Sequence, residues 1–153
     1  MIIKIISIGN KLNSWELDSI NYYLKQIPKN LKIDFINLKS QQNPNYSESE
    51  VISKESKLIM SKISKDDFVV AFDIKGNQMS SKKFSDLIFD CFKTSKVLTF
   101  IIGGSFGLSS EIKDNSNRVL SASLFTFPHR LFRLILIEQI YRAHTIKNNM
   151  PYH

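Results

Sequence analysis

The chain alternates short apolar runs with longer amphipathic segments, which is the pattern of strands alternating with helices. Apolar, β-branched runs that stop near a turn residue predict strands, and apolar positions three or four apart predict helices. Strands are therefore predicted over residues 1–9, 31–38, 67–73, 96–102 and 118–123. Helices are predicted over residues 14–27, 49–63, 81–94, 109–115 and 128–147.

Local signals refine several of these elements. Ser14 is predicted to cap the first helix, which Pro28 stops, and residues 40–50 are polar and predict a loop. Residues 75–77 (Lys-Gly-Asn) predict a turn after the third strand. Cys91 falls on the apolar stripe of the third helix and is predicted to be a small core residue, not a nucleophile.

The element order predicts an α/β fold in which a mainly parallel sheet carries helices on both faces, in one domain over residues 1–153. Ligands of such sheets bind beyond the carboxyl ends of strands. Two ends have the required features, Phe72-Asp73 and Ile102-Gly103-Gly104. The last helix is apolar on almost every side, so more than one of its faces must be covered, and a second subunit is a natural cover.

The amino-acid composition indicates which class of partner the protein binds. The net charge is +7 and the pI near 9.5, which favours polyanionic partners. The chain has seventeen Lys and four Arg, and all four Arg (118, 130, 133 and 142) lie in the last 36 residues with all three His (129, 144 and 153). Arg binds phosphate and carboxylate in a bidentate way, so this region is predicted to recognise an anion; the alternative is chance clustering.

The sequence disfavours disulfide-bonded, membrane-spanning and secreted classes of protein. One cysteine excludes an internal disulfide framework, and no apolar stretch approaches the ~18 residues of a membrane span. The apolar start has no signal-peptide pattern, so we expect a cytoplasmic protein without a bound metal.

Three of the five glycines lie in the loop that follows the fourth strand: Gly103, Gly104 and Gly107. The loop is not a Walker loop, because no Gly-Lys-Ser/Thr follows, and it lacks the G-x-G-x-x-G spacing of dinucleotide sites. It indicates close backbone approach to a ligand, or else a tight turn without one.

Specific motifs carry a resemblance over the whole chain. They are FIIGGSFGLSSEIK (100–113) and LSASLFTFPHRLFRLILIEQIYRAHTIKNNMPYH (120–153), with Phe72-Asp73-x-x-Gly76 and Ser80-Ser81 upstream. Together they are similar to the SPOUT class of RNA methyltransferases. Within that class they resemble the small enzymes that methylate N3 of a pseudouridine in large-subunit ribosomal RNA.

The resemblance implies a C-terminal trefoil knot, a homodimer and S-adenosylmethionine as cofactor. By position, the family's cofactor contacts fall on one strand end, the glycine loop and a run near the last helix. These residues are Phe72, Gly103, Gly104, Ala122, Ser123, Leu124, Phe125, Thr126 and Phe127. The backbone of residues 122–127 is expected to read the adenine edges, with Leu124, Phe125 and Phe127 as apolar walls.

Methylating N3 requires that its proton leave, so the site needs a base or a positive field near the imide. We assign Arg142 to charge stabilisation, and Tyr152 or His153 to orientation or proton handling. Arg130 and Arg133 are predicted to contact RNA phosphates, with His129 beside them. Two plainer interpretations stay open: Glu138 and Arg142 form an ordinary i, i+4 pair, and His129 only caps or packs.

The function implied is methylation of a pseudouridine N3 in a stem-loop of large-subunit (23S) ribosomal RNA, on assembled ribosomes. Two alternatives remain: a related enzyme acting on another RNA such as tRNA, or a non-catalytic protein that binds RNA or the ribosome.

Overall fold

The computed structural model describes residues 1–9, 11–94 and 96–152 of the chain. Strands and helices alternate along it, as the sequence pattern predicts. The strands are β1 (Ile2–Ile8), β2 (Lys32–Leu38), β3 (Phe68–Asn77), β4 (Leu98–Ile102) and β5 (Arg118–Leu120). The helices are α1 (Ser14–Leu24), α2 (Glu48–Met60), α3 (Ser81–Lys93), α4 (Ser110–Asp114) and α5 (His129–Lys147).

In the described part of the chain, the five strands form one sheet in the order β2-β1-β4-β3-β5, and every pairing is parallel. The central strands are buried on both faces; β4, for example, is buried at all five positions. This burial explains why those strands are nearly continuous apolar runs. The predicted α/β class with a parallel sheet is confirmed.

Alternate side chains of the strands supply two cores, one on each face of the sheet. On one face, α1, α3 and α5 pack over side chains such as Ile5 and Phe100. On the other face, α2 and α4 pack over Ile6 and Ile101. Cys91 lies in the first core and is buried, as predicted, and burial raises the pKa of its thiol.

Helix α5 is the central element of the larger core. Its side chains at Phe132, Leu136, Ile137 and Ile140 are all buried, and α5 packs against both α1 and α3. Within the described residues, no helix combines the length and the apolar character needed to cross a membrane.

The predicted turn at residues 75–77 is wrong, because β3 continues through Asn77. After an irregularity between Phe72 and Asn77, the strand pairs again with Leu120 of β5. Gly76 makes this possible: a Cβ there would lie 2.5 Å from the carbonyl carbon of Leu120. The glycine serves close strand approach, a reason that the local sequence does not reveal.

Other differences concern the ends of elements. Asn13, not Ser14, caps α1: its side chain accepts from the backbone N–H of Glu16, whose carboxylate accepts from the backbone of Asn13. The helix ends at Leu24, before Pro28. Strand β5 ends at Leu120 and not at residue 123, which leaves residues 121–127 irregular.

We expect Gly76→Ala to lower the free energy of unfolding by about 2 kcal/mol, because the new Cβ forces β3 and β5 apart. Gly107→Ala is the control. Gly107 has a φ of +82° and no atom within 4 Å of the place that a Cβ would take, so only backbone strain of about 1 kcal/mol applies. Urea unfolding measures both; a Gly76→Ala protein as stable as the wild type contradicts the assigned pairing.

Candidate cofactor cleft and catalytic residues

A cleft of about 390 Å³ opens beyond the carboxyl ends of β4 and β5 and beside residues 72–74 of β3, where its pairing with β4 ends. This volume is within the range of ligand pockets. Three loops and the start of α5 surround it, which is the place where open parallel sheets bind ligands. The lining comprises residues 72–74, 102–107, 121–123, 125–127, 129 and 132.

The glycine loop forms one side of the cleft. The backbone N–H of Gly107 donates to the carbonyl of Gly104 over 3.0 Å, which closes the loop on itself. A Cβ on Gly103 would lie 2.9 Å from the side chain of Leu108, and one on Gly104 would lie 2.9 Å from Oε1 of Glu55. A side chain at either position would therefore have to displace its neighbours within the protein, and both residues line the cleft.

The irregular run 121–127 forms the opposite side. Three hydrogen bonds of 3.0 Å hold it: Ser121 N–H donates to the Asn77 carbonyl, the Ser121 hydroxyl donates to the Ser123 carbonyl, and Phe125 N–H donates to Oγ of Ser123. Among the described residues, the backbone N–H groups of Ala122 and Thr126 make no hydrogen bond within the chain. These groups are free to bind a polar ligand edge.

The side chains of this run divide into two groups. Phe125 and Phe127 line the cleft, as an apolar wall should. Leu124 does not line it within one chain, and its side chain is 91% exposed. Phe125 is also largely exposed, at 79%. The predicted wall at Leu124 therefore has no support in the geometry of a single chain.

Aromatic contacts fix the floor of the cleft. Phe72, at the cleft end of the β3–β4 pairing, stacks on Phe100 with ring centroids 5.7 Å apart and meets Phe132 edge-on at 4.8 Å. Such pairs are favourable arrangements of aromatic rings. They join the sheet to the first turns of α5.

His129 begins α5 and lines the same cleft. Burial lowers the pKa of its imidazole, and the positive charges of Arg133 and Arg130 lower it further. The ring is therefore neutral at pH 7. Without RNA bound, the neutral ring offers hydrogen bonding and stacking rather than a positive charge.

Arg133 is not on the surface, which corrects the prediction that it contacts a phosphate. Its side chain is 1% exposed, and Nη2 donates to Oε2 of buried Glu16 over 2.8 Å. Arg130 pairs with Oε1 of the same Glu16 and keeps 34% of its side chain exposed. Of the two arginines, only Arg130 can present donors to RNA. Glu16 was not predicted as part of the site, and its only signal in the sequence is its place in the capping box.

A second cluster lies at the far end of α5. Arg142 donates from Nη2 and Nε to Oε1 of Glu138 over 2.6 and 3.0 Å, so the predicted i, i+4 pair is present. The hydroxyl of Tyr152 donates to the same oxygen over 2.9 Å, and the Arg142 guanidinium lies 4.9 Å from the Tyr152 ring centroid. Tyr152 also packs on Tyr141, with centroids 4.7 Å apart. Glu138 and Tyr141 were not predicted as parts of this cluster.

The charges of this cluster are fixed by its contacts. The hydrogen bond with Glu138 raises the pKa of Arg142, and burial together with the bond to Glu138 raises the pKa of Tyr152. Tyr152 is therefore protonated at neutral pH and donates a hydrogen bond. This protonation fits an orienting role for Tyr152.

The structure does not bring the two groups of predicted residues together. His129 at the cleft and Arg142 are thirteen positions apart on one helix, which corresponds to about 20 Å at 1.5 Å per residue. His153, the third predicted catalytic residue, lies outside the described residues. One chain thus carries a cofactor-type cleft at one end of α5 and the arginine–tyrosine cluster near the other.

Comparisons with known proteins agree with this fold. The whole chain, residues 1–153, matches the family described as "Predicted SPOUT methyltransferase". The chain belongs to the SPOUT methyltransferase family, and its α/β fold is the fold of that family.

Close relatives match over their full length. The chain is 42% identical to "Ribosomal RNA large subunit methyltransferase H 1" of Clostridium perfringens, with 100% of this chain and 99% of the relative covered. It is 39% identical, with the same coverage, to proteins named "Ribosomal RNA large subunit methyltransferase H" from Clostridium botulinum and Streptococcus thermophilus.

Solved structures agree at the level of fold. A methylase family protein from Haemophilus influenzae superposes with a TM-score of 0.53 at 12% identity, covering 99% of this chain and 70% of that one. One from Neisseria gonorrhoeae gives 0.51 at 14% identity, covering 92% and 81%.

The neutral state of His129 gives a pH prediction. Its folded-state pKa lies below the ordinary value of 6.5, so the folded protein binds fewer protons than the unfolded chain just below that pH. The free energy of unfolding should therefore fall as the pH drops through 6.5 and below. NMR titration of the His129 ring should give a pKa below 6.5. The variant His129→Gln should lose less stability over the same range, whereas a His129 pKa at or above 6.5 contradicts the assignment.

Proposed function

We propose that this protein is an S-adenosylmethionine-dependent methyltransferase that methylates N3 of a pseudouridine in a stem-loop of large-subunit ribosomal RNA. The observation that carries the proposal is the cleft, whose lining includes nearly all the positions to which the family resemblance assigns cofactor contacts. The full-length relatives, which are named as ribosomal RNA large subunit methyltransferases, support the RNA class.

The cleft residues suit the cofactor chemically. The free backbone N–H groups of the 121–127 run would read the polar edge of the adenine, and Phe125 and Phe127 would flank the ring. Phe72 and the Gly103 backbone would close the other side. When bound, S-adenosylmethionine supplies an electrophilic methyl group.

The arginine–tyrosine cluster suits the target base. N3 of the uracil-type ring becomes nucleophilic when its proton leaves, and a nearby guanidinium stabilises the resulting negative charge. A guanidinium has five N–H donors, and Arg142 contacts Glu138 through Nε and Nη2, so it keeps donors for the imide oxygens. Tyr152 would orient the base through its hydroxyl, and His153 remains a candidate for handling the proton.

We infer that the working site combines the cleft of one chain with the cluster of another in a homodimer. About 20 Å of rigid helix separates the two within one chain. Large apolar side chains are exposed near both parts, at Leu124, Phe125, Leu131 and Met150. A two-fold interface that covers these side chains would bring each cleft to the partner's cluster. In that dimer Leu124 would become part of an apolar wall.

The remaining charges would bind the RNA. Arg130, which follows the cleft residue His129, keeps its donors partly exposed, and the seventeen lysines give a diffuse positive field whose attraction weakens as salt rises. We expect the assembled ribosome or its large subunit to place the target nucleotide. That substrate would place the enzyme in the cytoplasm.

The direct test uses ribosomes from a strain that lacks the gene. Incubating them with the purified protein and labelled S-adenosylmethionine should place one methyl group on a pseudouridine of the large-subunit RNA, as read by mass spectrometry of digested RNA. Transfer to tRNA instead would establish the other RNA substrate. Failure of the protein to bind S-adenosylmethionine in calorimetry would favour a non-catalytic RNA-binding protein.

A matched pair of variants tests the assigned chemistry. Arg142→Ala should lower the turnover rate by about 100-fold, with little change in cofactor affinity, because it removes a charge that acts mainly in the transition state. The control is Arg118→Ala, since Arg118 is exposed at the amino end of β5, whereas the cleft lies beyond the carboxyl ends of the strands. Equal activity of both variants would remove Arg142 from the mechanism.

A further inference from the structure

A buried ionic network ties the start of α5 to the rest of the fold. Glu16 of α1 is fully buried and holds Arg133 and Arg130 with its two carboxylate oxygens. Nη1 of Arg133 also donates to Oδ1 of Asn37 in β2 over 3.3 Å, and Asn37 accepts from the hydroxyl of Ser7 in β1 over 2.9 Å. Three elements thus converge on one turn of α5.

The turn held in this way forms part of the cleft. His129 and Phe132, which both line the cleft, lie directly beside the two arginines on the helix. Phe132 packs edge-on against Phe72 on the cleft floor. The run 121–127 enters α5 through Pro128, so the position of this turn also sets one end of the candidate cofactor wall.

The network lies at the first turn of α5, beside residues that line the cleft. Burying charges is costly, so a buried ion pair is weak evidence for added stability, and in some proteins such a pair serves to fix one arrangement. Here the two oxygens of one carboxylate contact the guanidinium groups of both arginines. The first turn of α5 therefore has one defined position.

We propose that Glu16 is a positioning residue for the methyltransferase site: through Arg130 and Arg133 it seats the first turn of α5, and so sets the cofactor wall and His129. The expected effect on cofactor binding rests on the function proposed above. The claim that Glu16 positions the first turn of α5 does not depend on that function. It assigns to α1, which does not line the cleft, control of how tightly the cleft binds.

The sheet supplies a matched control at its opposite end. Asp67 is also a buried carboxylate, with 3% of its side chain exposed, and it accepts from Lys4, Thr99 and the backbone of Ser64. It lies beside the amino ends of β3 and β4, away from the cleft. Asp67→Asn should therefore cost stability, as Glu16→Gln does, without moving the cleft.

The test compares Glu16→Gln, Glu16→Asp and Asp67→Asn with the wild-type chain. We expect Glu16→Gln to weaken S-adenosylmethionine binding about tenfold or more in calorimetry, since a small misplacement of a binding wall is amplified. Asp67→Asn should stay within about twofold. Glu16→Asp keeps the charge but cannot reach both arginines, so it should fold and show an intermediate loss.

A second readout needs no ligand. Hydrogen exchange at pH 7 should become faster in residues 121–133 of both Glu16 variants and remain unchanged there in Asp67→Asn. Wild-type cofactor affinity and exchange in Glu16→Asp would overturn the positioning role, as would an equal effect of Asp67→Asn on the cleft. If the wild-type chain does not bind the cofactor, the proposed function fails, and the exchange comparison still decides the role of Glu16.

Discussion

The length and rigidity of α5 constrain how the rest of the structure can function. This helix runs for nineteen residues, is buried along much of its length, and packs on α1 and α3. Its first turn forms part of the cleft, and its later turns carry Glu138 and Arg142. A helix held in this way cannot bend by about 20 Å, so the two functional parts of one chain stay apart. The shared dimer site that we propose would use both.

The charged groups also differ between the two ends of α5. At the cleft end of α5, Glu16 pairs with Arg130 and Arg133, and burial together with these two positive charges keeps His129 neutral beside an apolar wall. At the other end, Glu138 is shared by Arg142 and a protonated Tyr152. The first arrangement suits a cofactor of mixed polarity with RNA phosphates nearby, and the second suits a base that carries a developing negative charge.

Local patterns predicted much of the fold. Apolar runs and helical stripes placed all ten elements within a few residues, and the i, i+4 spacing of Glu138 and Arg142 predicted their pair, because these signals lie within short segments. The predictions were wrong where a residue distant in the sequence determines the local structure. Gly76 continues a strand because Leu120 lies against it. Arg133 is buried because it pairs with the carboxylate of Glu16, 117 positions away. The trefoil knot and the cofactor contacts come from the family resemblance and remain predictions.

The most direct test of a shared site mixes two inactive chains. The Arg142→Ala variant retains an intact cleft but lacks the arginine of the cluster. The Gly103→Val variant retains the cluster, but its new side chain would clash with Leu108 and disrupt the cleft. If each site combines the cleft of one chain with the cluster of another, unfolding and refolding the two variants together should restore about a quarter of wild-type methylation, since half the dimers then contain one intact site of two. Activity that stays at the level of the separate variants would contradict a shared site.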